Sequence, residues 1–136
     1  MNKREKEVQL KLQKSAAMMA EVEILLQNKF YNTAINRLYY SCFHLTTALL
    51  LLKNFTPKTH SGVGILLNKE FVQKEMFDVQ HASFFTKLMN ERIESDYGDY
   101  LIIDETDVDE FFEPAKLYVQ YVTKMINDLL QKEAKF

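Results

Sequence analysis

Two groups of polar side chains are spaced so that each group lies on one face of a helix. Together they could form one chemical site. Arg37, Tyr40 and His44 follow one another at intervals of three and four, and Arg92 and Asp96 are four residues apart. Residues at these intervals lie on the same face of a helix. Histidine can take up and release a proton near neutral pH, and arginine can stabilise negative charge on oxygen. The two groups therefore predict a site for acid–base chemistry or anion binding.

The two polar faces are expected to meet, because charged groups rarely enter a core-facing stripe unless they are paired. The simplest arrangement places Arg92 between Asp96 and a tyrosine or histidine of the other helix. Tyr97 lies beside Asp96, while Lys58 and His60 lie in the turn between the two helices. These flanking residues could line the rim of the same cleft.

Each group also has a purely structural interpretation. Arg37, Tyr40 and His44 can form a hydrogen-bonded polar layer that fixes the register of packed helices. Arg92 and Asp96 can form an ordinary ion pair at the end of a bundle. Both interpretations stay open on the sequence alone.

The rest of the sequence predicts the helices that would position these residues. Apolar residues recur every three or four positions over about residues 5–28, 31–53 and 78–97, and again from Val108 to Leu129. A short third helix or ordered loop is expected from His60 to Phe71. Only 3 Gly and 2 Pro interrupt the chain. We therefore expect one all-α domain over residues 1–136, an up-and-down bundle of four long helices and one short helix.

The second helix has the most regular apolar stripe, which predicts a central position in the bundle. The members of the stripe are Ile35, Leu38, Cys42, Leu45, Leu49 and Leu52. Since Cys42 belongs to this stripe, we interpret it as a core residue and not as a nucleophile. The polar face beside the stripe has apolar neighbours, so neighbouring helices are expected on more than one side.

The start of the last helix has two interpretations, because Pro114 interrupts its apolar pattern. Either the helix kinks at Pro114 or it begins near Glu113. The acidic residues over 104–110 suit the positive end of a helix dipole. Thr106 and Asp109 are expected to form the capping box at this end.

The composition excludes several classes of protein. The net charge of −2 and the isoelectric point of about 5.9 give no general basic field for nucleic acid, although a local cleft can still be basic. One cysteine indicates a reducing compartment, and the charged N-terminus does not suit a signal peptide. The longest leucine run ends at Lys53, far short of a membrane span. We expect a cytoplasmic protein with no metal and no cofactor.

Three segments of the chain resemble the HEPN family of small bacterial and archaeal proteins. They are AINRLYYSCFH over residues 34–44, KTHSGV over 58–63 and ERIESDY over 91–97. The resemblance extends from about Lys6 to Ile126. It implies a bundle of up-and-down helices that commonly forms a homodimer.

The resemblance also implies a function that involves RNA. Many HEPN proteins are metal-independent ribonucleases, often toxins, and they are often encoded beside a minimal nucleotidyltransferase. In such an enzyme, histidine moves the proton of the ribose 2′-hydroxyl or of the leaving oxygen, and arginine stabilises the charge at phosphorus. On this basis the candidate catalytic residues are Arg37, His44 and Arg92. The candidate residues for binding a nucleotide or RNA are Tyr40, Lys58, His60, Asp96 and Tyr97.

The late segment departs from the pattern of the HEPN toxins. That pattern has asparagine directly after the arginine and a histidine later, whereas here Ile93 follows Arg92 and Tyr97 takes the place of the histidine. Tyrosine does not shuttle protons near neutral pH without a large pKa shift. The departure favours an interaction module with a polar cleft, working with a nucleotidyltransferase in a toxin–antitoxin or defence setting. A metal-independent endoribonuclease and a structural dimer without a ligand are the alternatives.

Overall fold

The computed structural model describes residues 1–97 and 103–134, which form a helical bundle. The helices are α1 (Lys3–Gln27), α2 (Tyr31–Leu52), α3 (His60–Leu67), α4 (Val79–Tyr97) and α5 (Glu105–Ala134). One π-helical turn, Asn68–Val72, directly follows α3. The prediction of an all-α bundle with four long helices and one short helix is therefore confirmed. Across the ranges described, no helix combines the length and apolarity that crossing a membrane requires.

Helix α2 forms the centre of the bundle. It packs against α1, α3, α4 and α5, and its predicted apolar stripe is buried along its whole length. Burial of each leucine or isoleucine side chain contributes about 1.5–3 kcal/mol. The side chains beside the stripe, including Arg37, Tyr40 and His44, are only partly buried. Helix α2 therefore carries the predicted polar face along the margins of the core.

Three helical segments end without glycine. Lys29, Asn54 and Glu75 adopt left-handed backbone conformations, with φ of 62°, 66° and 59°. After α1, the N–H of Phe30 donates to the carbonyl of Leu25 at 2.9 Å, and equivalent bonds close the other two ends. These bonds satisfy carbonyl groups that a helix end leaves free, which offsets a cost of about 1–2 kcal/mol for the left-handed residue. The chain therefore turns sharply although it contains few glycines.

The cap of α5 differs from the predicted one. The N–H of Asp107 donates to Asp104 Oδ1 at 3.0 Å, and the N–H of Asp104 donates to Asp107 Oδ2 at 2.9 Å. These two bonds form a reciprocal capping box in which Asp104, directly before Glu105, is the N-cap residue. The predicted pair, Thr106 and Asp109, is therefore wrong. The true pair lies two residues earlier, because the helix starts before the position that the apolar pattern suggested.

Pro114 lies inside α5. The alternative in which the helix begins near Glu113 is therefore wrong. Proline removes one N–H donor and displaces the carbonyl four residues earlier, here that of Glu110, an exposed residue within reach of water. Phe111 and Ala115 on either side are buried in the core. Their packing holds the helix together across the proline.

Candidate functional site

Helices α2 and α4 meet at two tyrosines and one arginine. The guanidinium carbon of Arg92 lies 4.9 Å from the centre of the Tyr39 ring and 5.8 Å from the centre of the Tyr40 ring. Arg92 is only 8% exposed. The attraction between a cation and an aromatic face reaches about 2 kcal/mol when the pair is removed from water. The two tyrosines of α2 therefore hold the guanidinium of α4 in place.

The hydrogen bonding of Arg92 is incomplete. Its Nη1 donates to Asp96 Oδ2 at 3.4 Å, which is long for a charged pair that normally closes to about 2.7–2.9 Å. Its Nε is buried and has no hydrogen-bond partner among the described residues. A buried donor without a partner costs about 1–3 kcal/mol. The Nε donor is therefore unpaired inside the packed contact between α2 and α4, and the ion pair with Asp96 is loose.

Tyr39 and His60 form a neutral hydrogen-bonded pair beside Arg92. The Tyr39 hydroxyl lies 2.8 Å from His60 Nδ1. Burial raises the pKa of Tyr39, an effect that the charge of Arg92 only partly offsets. Burial and the charge of Arg92 both lower the pKa of His60. When the histidine proton is on Nε2, Nδ1 accepts from the tyrosine and Nε2 is free to donate to a ligand.

A column of aromatic rings connects this pair to the hydrophobic core. The successive rings are Tyr118, Phe85, Tyr39, His60 and Phe43. Their centres are 5.6, 5.9, 5.8 and 4.4 Å apart, and neighbouring planes are within 24° of parallel. Offset stacking of this kind contributes about 0.5–1.5 kcal/mol per pair beyond burial. The position of His60 is therefore set by the packing of α2, α4 and α5.

The start of α3 also fixes His60, the first residue of that helix. The Thr59 side chain caps α3 by accepting a hydrogen bond from the N–H of Gly62 at 3.0 Å. A Cβ atom at Gly62 would lie 2.9 Å from Thr59 Oγ1, so this cap requires glycine. Lys58, the predicted rim residue, is exposed two positions before His60.

The structure brings four of the predicted site residues together. Tyr40, His60, Arg92 and Asp96 join Tyr39 in one group, which we call the Arg92 cluster. The side chain of Tyr97 lies outside the part of the chain that the structure describes.

Arg37 lies at the contact between α1 and α2. Its Nε donates to Glu21 Oε2 at 2.7 Å, and its Nη1 donates to Asn36 Oδ1 at 2.8 Å. Both side chains of the ion pair are substantially exposed, at 34% and 51%. Arg37 therefore belongs to the α1 side of α2 and not to the Arg92 cluster.

His44 lies between the Arg92 cluster and α1. Its ring centre is 6.1 Å from that of Tyr40. Burial lowers the pKa of His44, and so do the positive charges of Lys11 and Lys14 on α1. The predicted trio of Arg37, His44 and Arg92 is thus spread over two sides of α2.

Known proteins with similar sequences identify the family. The HEPN domain matches residues 8–126. The chain belongs to the HEPN family. A UPF0332 protein of Thermotoga maritima is 30% identical over 129 residues, which covers 95% of this chain and 98% of that protein. Two Methanocaldococcus jannaschii proteins that carry the name "putative toxin" are 30% and 28% identical, covering 91% and 89% of this chain and 92% and 82% of their own lengths.

Tyr39 of the Arg92 cluster and its neighbour Phe43, which stacks on His60, were not among the predicted site residues. Tyr39 is fully buried and falls four residues after Ile35, so its spacing resembles that of a core residue. One signal was available: the hydroxyl of a buried tyrosine needs a hydrogen-bond partner. Here that partner is His60, which comes from α3.

Two other kinds of chemistry lack the necessary geometry in this HEPN chain. Cys42 is fully buried, and burial raises the pKa of its thiol, so the reactive thiolate is disfavoured. Within the described ranges, no three histidine, cysteine or carboxylate side chains gather as a metal centre would require. The polar chemistry of the site therefore centres on arginine, histidine and tyrosine.

The lowered pKa values of His44 and His60 predict a dependence of stability on pH. Because the folded state lowers the pKa of both histidines, the unfolded state binds more protons as the pH falls through its own histidine pKa of about 6.5. The free energy of unfolding should therefore be constant above that pH and decrease as the pH falls through it. Urea denaturation between about pH 8 and pH 5 measures this slope. A variant with both His44→Gln and His60→Gln should lose most of it; an unchanged slope would contradict the prediction.

Proposed function

We propose that this HEPN protein binds single-stranded RNA through the Arg92 cluster, as the interaction module of a toxin–antitoxin or defence system. One observation carries the proposal: a guanidinium held against two aromatic rings makes only a long hydrogen bond, 3.4 Å, to its exposed ion-pair partner Asp96. Arginine recognises phosphate through charge-assisted hydrogen bonds. A phosphate group of RNA would take the place of Asp96 and accept shorter hydrogen bonds from the guanidinium.

The neighbours of Arg92 favour RNA over a simple anion. Tyr40 is partly exposed, and the partly exposed His60 stacks on Phe43. Unpaired RNA bases stack on such rings, while arginine and lysine bind the backbone. Lys58 is exposed close to His60 and offers a second cation. A local site of this kind is compatible with the net charge of −2.

The partner in the proposal is a nucleotidyltransferase, and the expected assembly is a homodimer. These two parts rest on membership of the HEPN family, and the names of the two Methanocaldococcus relatives support a toxin-like role. Purification of the tagged protein from its native host should recover the partner or a bound nucleotide. Recovery of the protein alone would count against this part of the proposal.

Binding of a fluorescently labelled single-stranded RNA oligomer, followed by anisotropy, tests the RNA-binding function. Saturable binding is expected, and it should weaken as salt increases, because each phosphate contact releases counterions. Double-stranded RNA of the same length is the control, since its bases are not free to stack. Failure of the wild-type protein to bind the single strand would reject the proposed function.

A metal-independent endoribonuclease is the second candidate. The observation that favours it is the neutral His60 next to a guanidinium, since histidine can transfer protons to and from ribose and phosphate oxygens. To test for cleavage, the same RNA oligomer is incubated with the protein and a chelator, and the ends of the RNA are then analysed. Cyclic phosphate or 3′-phosphate ends that disappear in His60→Ala would support cleavage. If the oligomer stays intact, RNA binding without cleavage remains the proposed function.

A further inference from the structure

A cavity of about 240 Å³ opens between α1, α2 and the connection over residues 53–59. Helix α1 contributes Glu7 and Lys11, α2 contributes Phe43, and the connection contributes Phe55. The cavity therefore has two aromatic walls and one charge of each sign at its α1 side. None of these residues belongs to the Arg92 cluster.

Phe43 links the cavity to the Arg92 cluster. This residue lines the cavity and also stacks on His60, with the ring centres 4.4 Å apart. Lys11 lines the cavity too, and its positive charge helps to lower the pKa of His44, the residue that follows Phe43 on α2. Aromatic and basic side chains thus follow one another from Arg92 to α1. This is the pattern of a path for a single nucleic-acid strand.

We propose that this cavity holds a base of the same RNA strand whose phosphate binds the Arg92 cluster. The inference rests on the proposed function and adds a second subsite to it. The rings of Phe43 and Phe55 provide stacking surfaces, and Lys11 binds an adjoining phosphate. The Glu7 carboxylate accepts a hydrogen bond from an amino or imino N–H of the base. Glu7 therefore gives the subsite a preference among bases.

Two oligomers of equal length test the inference by anisotropy: single-stranded RNA, and the same ribose–phosphate backbone without bases. Phe55→Leu keeps an apolar side chain but removes the ring, so it should weaken binding of the RNA by about 5- to 100-fold and leave binding of the abasic backbone nearly unchanged. Lys11→Gln should weaken binding of both oligomers. It should also reduce the slope of log affinity against log salt concentration by about one, the value for one lost phosphate contact.

Two further variants complete the experiment. Lys124→Gln removes an exposed lysine of α5 that pairs with Asp128 and lines a different cavity, so it should bind both oligomers as the wild type does. Glu7→Gln changes an exposed residue and should not disturb folding, which a thermal melt verifies for each variant. It should alter the order of affinities among homopolymers of the four bases.

The outcomes separate the two proposals. If the wild type binds RNA, and both Phe55→Leu and Glu7→Gln match it on every oligomer, the cavity does not hold a base and the Arg92 cluster keeps its function. If the wild type binds no RNA, the proposed function fails and the base subsite fails with it. A loss confined to base-bearing oligomers in Phe55→Leu supports the subsite.

Discussion

Replacing Arg92 with alanine is expected to weaken the binding of single-stranded RNA by roughly 10- to 100-fold. Hydrogen bonds to charged groups contribute about 1.5–3 kcal/mol each, and the guanidinium is held against Tyr39 and Tyr40 at 4.9 and 5.8 Å before any ligand arrives. Arg92→Lys keeps the charge but loses the planar set of donors, so its affinity should fall between those of the wild type and the alanine variant. Anisotropy titrations at constant salt measure all three.

Arg37→Ala is the matched control for this prediction. This variant also removes a guanidinium group, but the group belongs to α2 and forms an exposed ion pair with Glu21. Such pairs contribute about 0–1 kcal/mol to stability, so both folding and RNA binding should stay close to those of the wild type. An equal loss of affinity in Arg37→Ala and Arg92→Ala would show that the RNA site is not confined to the α2–α4 contact. The predicted set of Arg37, His44 and Arg92 would then be the better description of the site.

The fold could be predicted wherever one face of a helix meets the core. The apolar stripe of α2 is visible in the sequence because its members face the same buried surface, and the structure buries all of them. The start of α5 is different. Its cap depends on hydrogen bonds between Asp104 and Asp107, and the nearby acidic residues and Thr106 offered an alternative with similar side chains. Composition alone could not distinguish the two.

The site could be predicted only where its contacts are local in sequence. Arg92 and Asp96 are four residues apart on one helix, and the structure pairs them. The contact between Tyr39 and His60 spans 21 residues and depends on how α3 docks, which no helical period encodes. Arg37 shares a stripe with Tyr40, but the packing of α1 against α2 directs its guanidinium to Glu21. Periodicity defines the stripe, whereas the neighbouring helix decides what each side chain contacts.

Phe85→Ala is expected to produce the largest loss of stability among the variants considered. Phe85 is fully buried, and its ring stacks between Tyr39 and Tyr118, with centre distances of 5.9 and 5.6 Å. Removing a buried phenylalanine ring costs about 3–5 kcal/mol, a large part of the 5–15 kcal/mol that holds a typical domain folded. Urea denaturation measures the change in the free energy of unfolding. Phe84→Ala is the matched control, because its ring is only partly buried and it should cost clearly less.

The same position should also affect RNA binding, although a fully buried ring cannot touch RNA. Phe85→Leu fills most of the space at a cost of about 1 kcal/mol, so the protein stays folded while Tyr39 loses its stacking partner. If the aromatic column positions the site, RNA affinity falls in Phe85→Leu and stays near the wild-type value in Phe84→Leu, both measured well below the melting temperature. Equal affinities in both variants would mean that Tyr39 and His60 are held by their own hydrogen bond and by Arg92. The coupling of core packing to the site would then be absent.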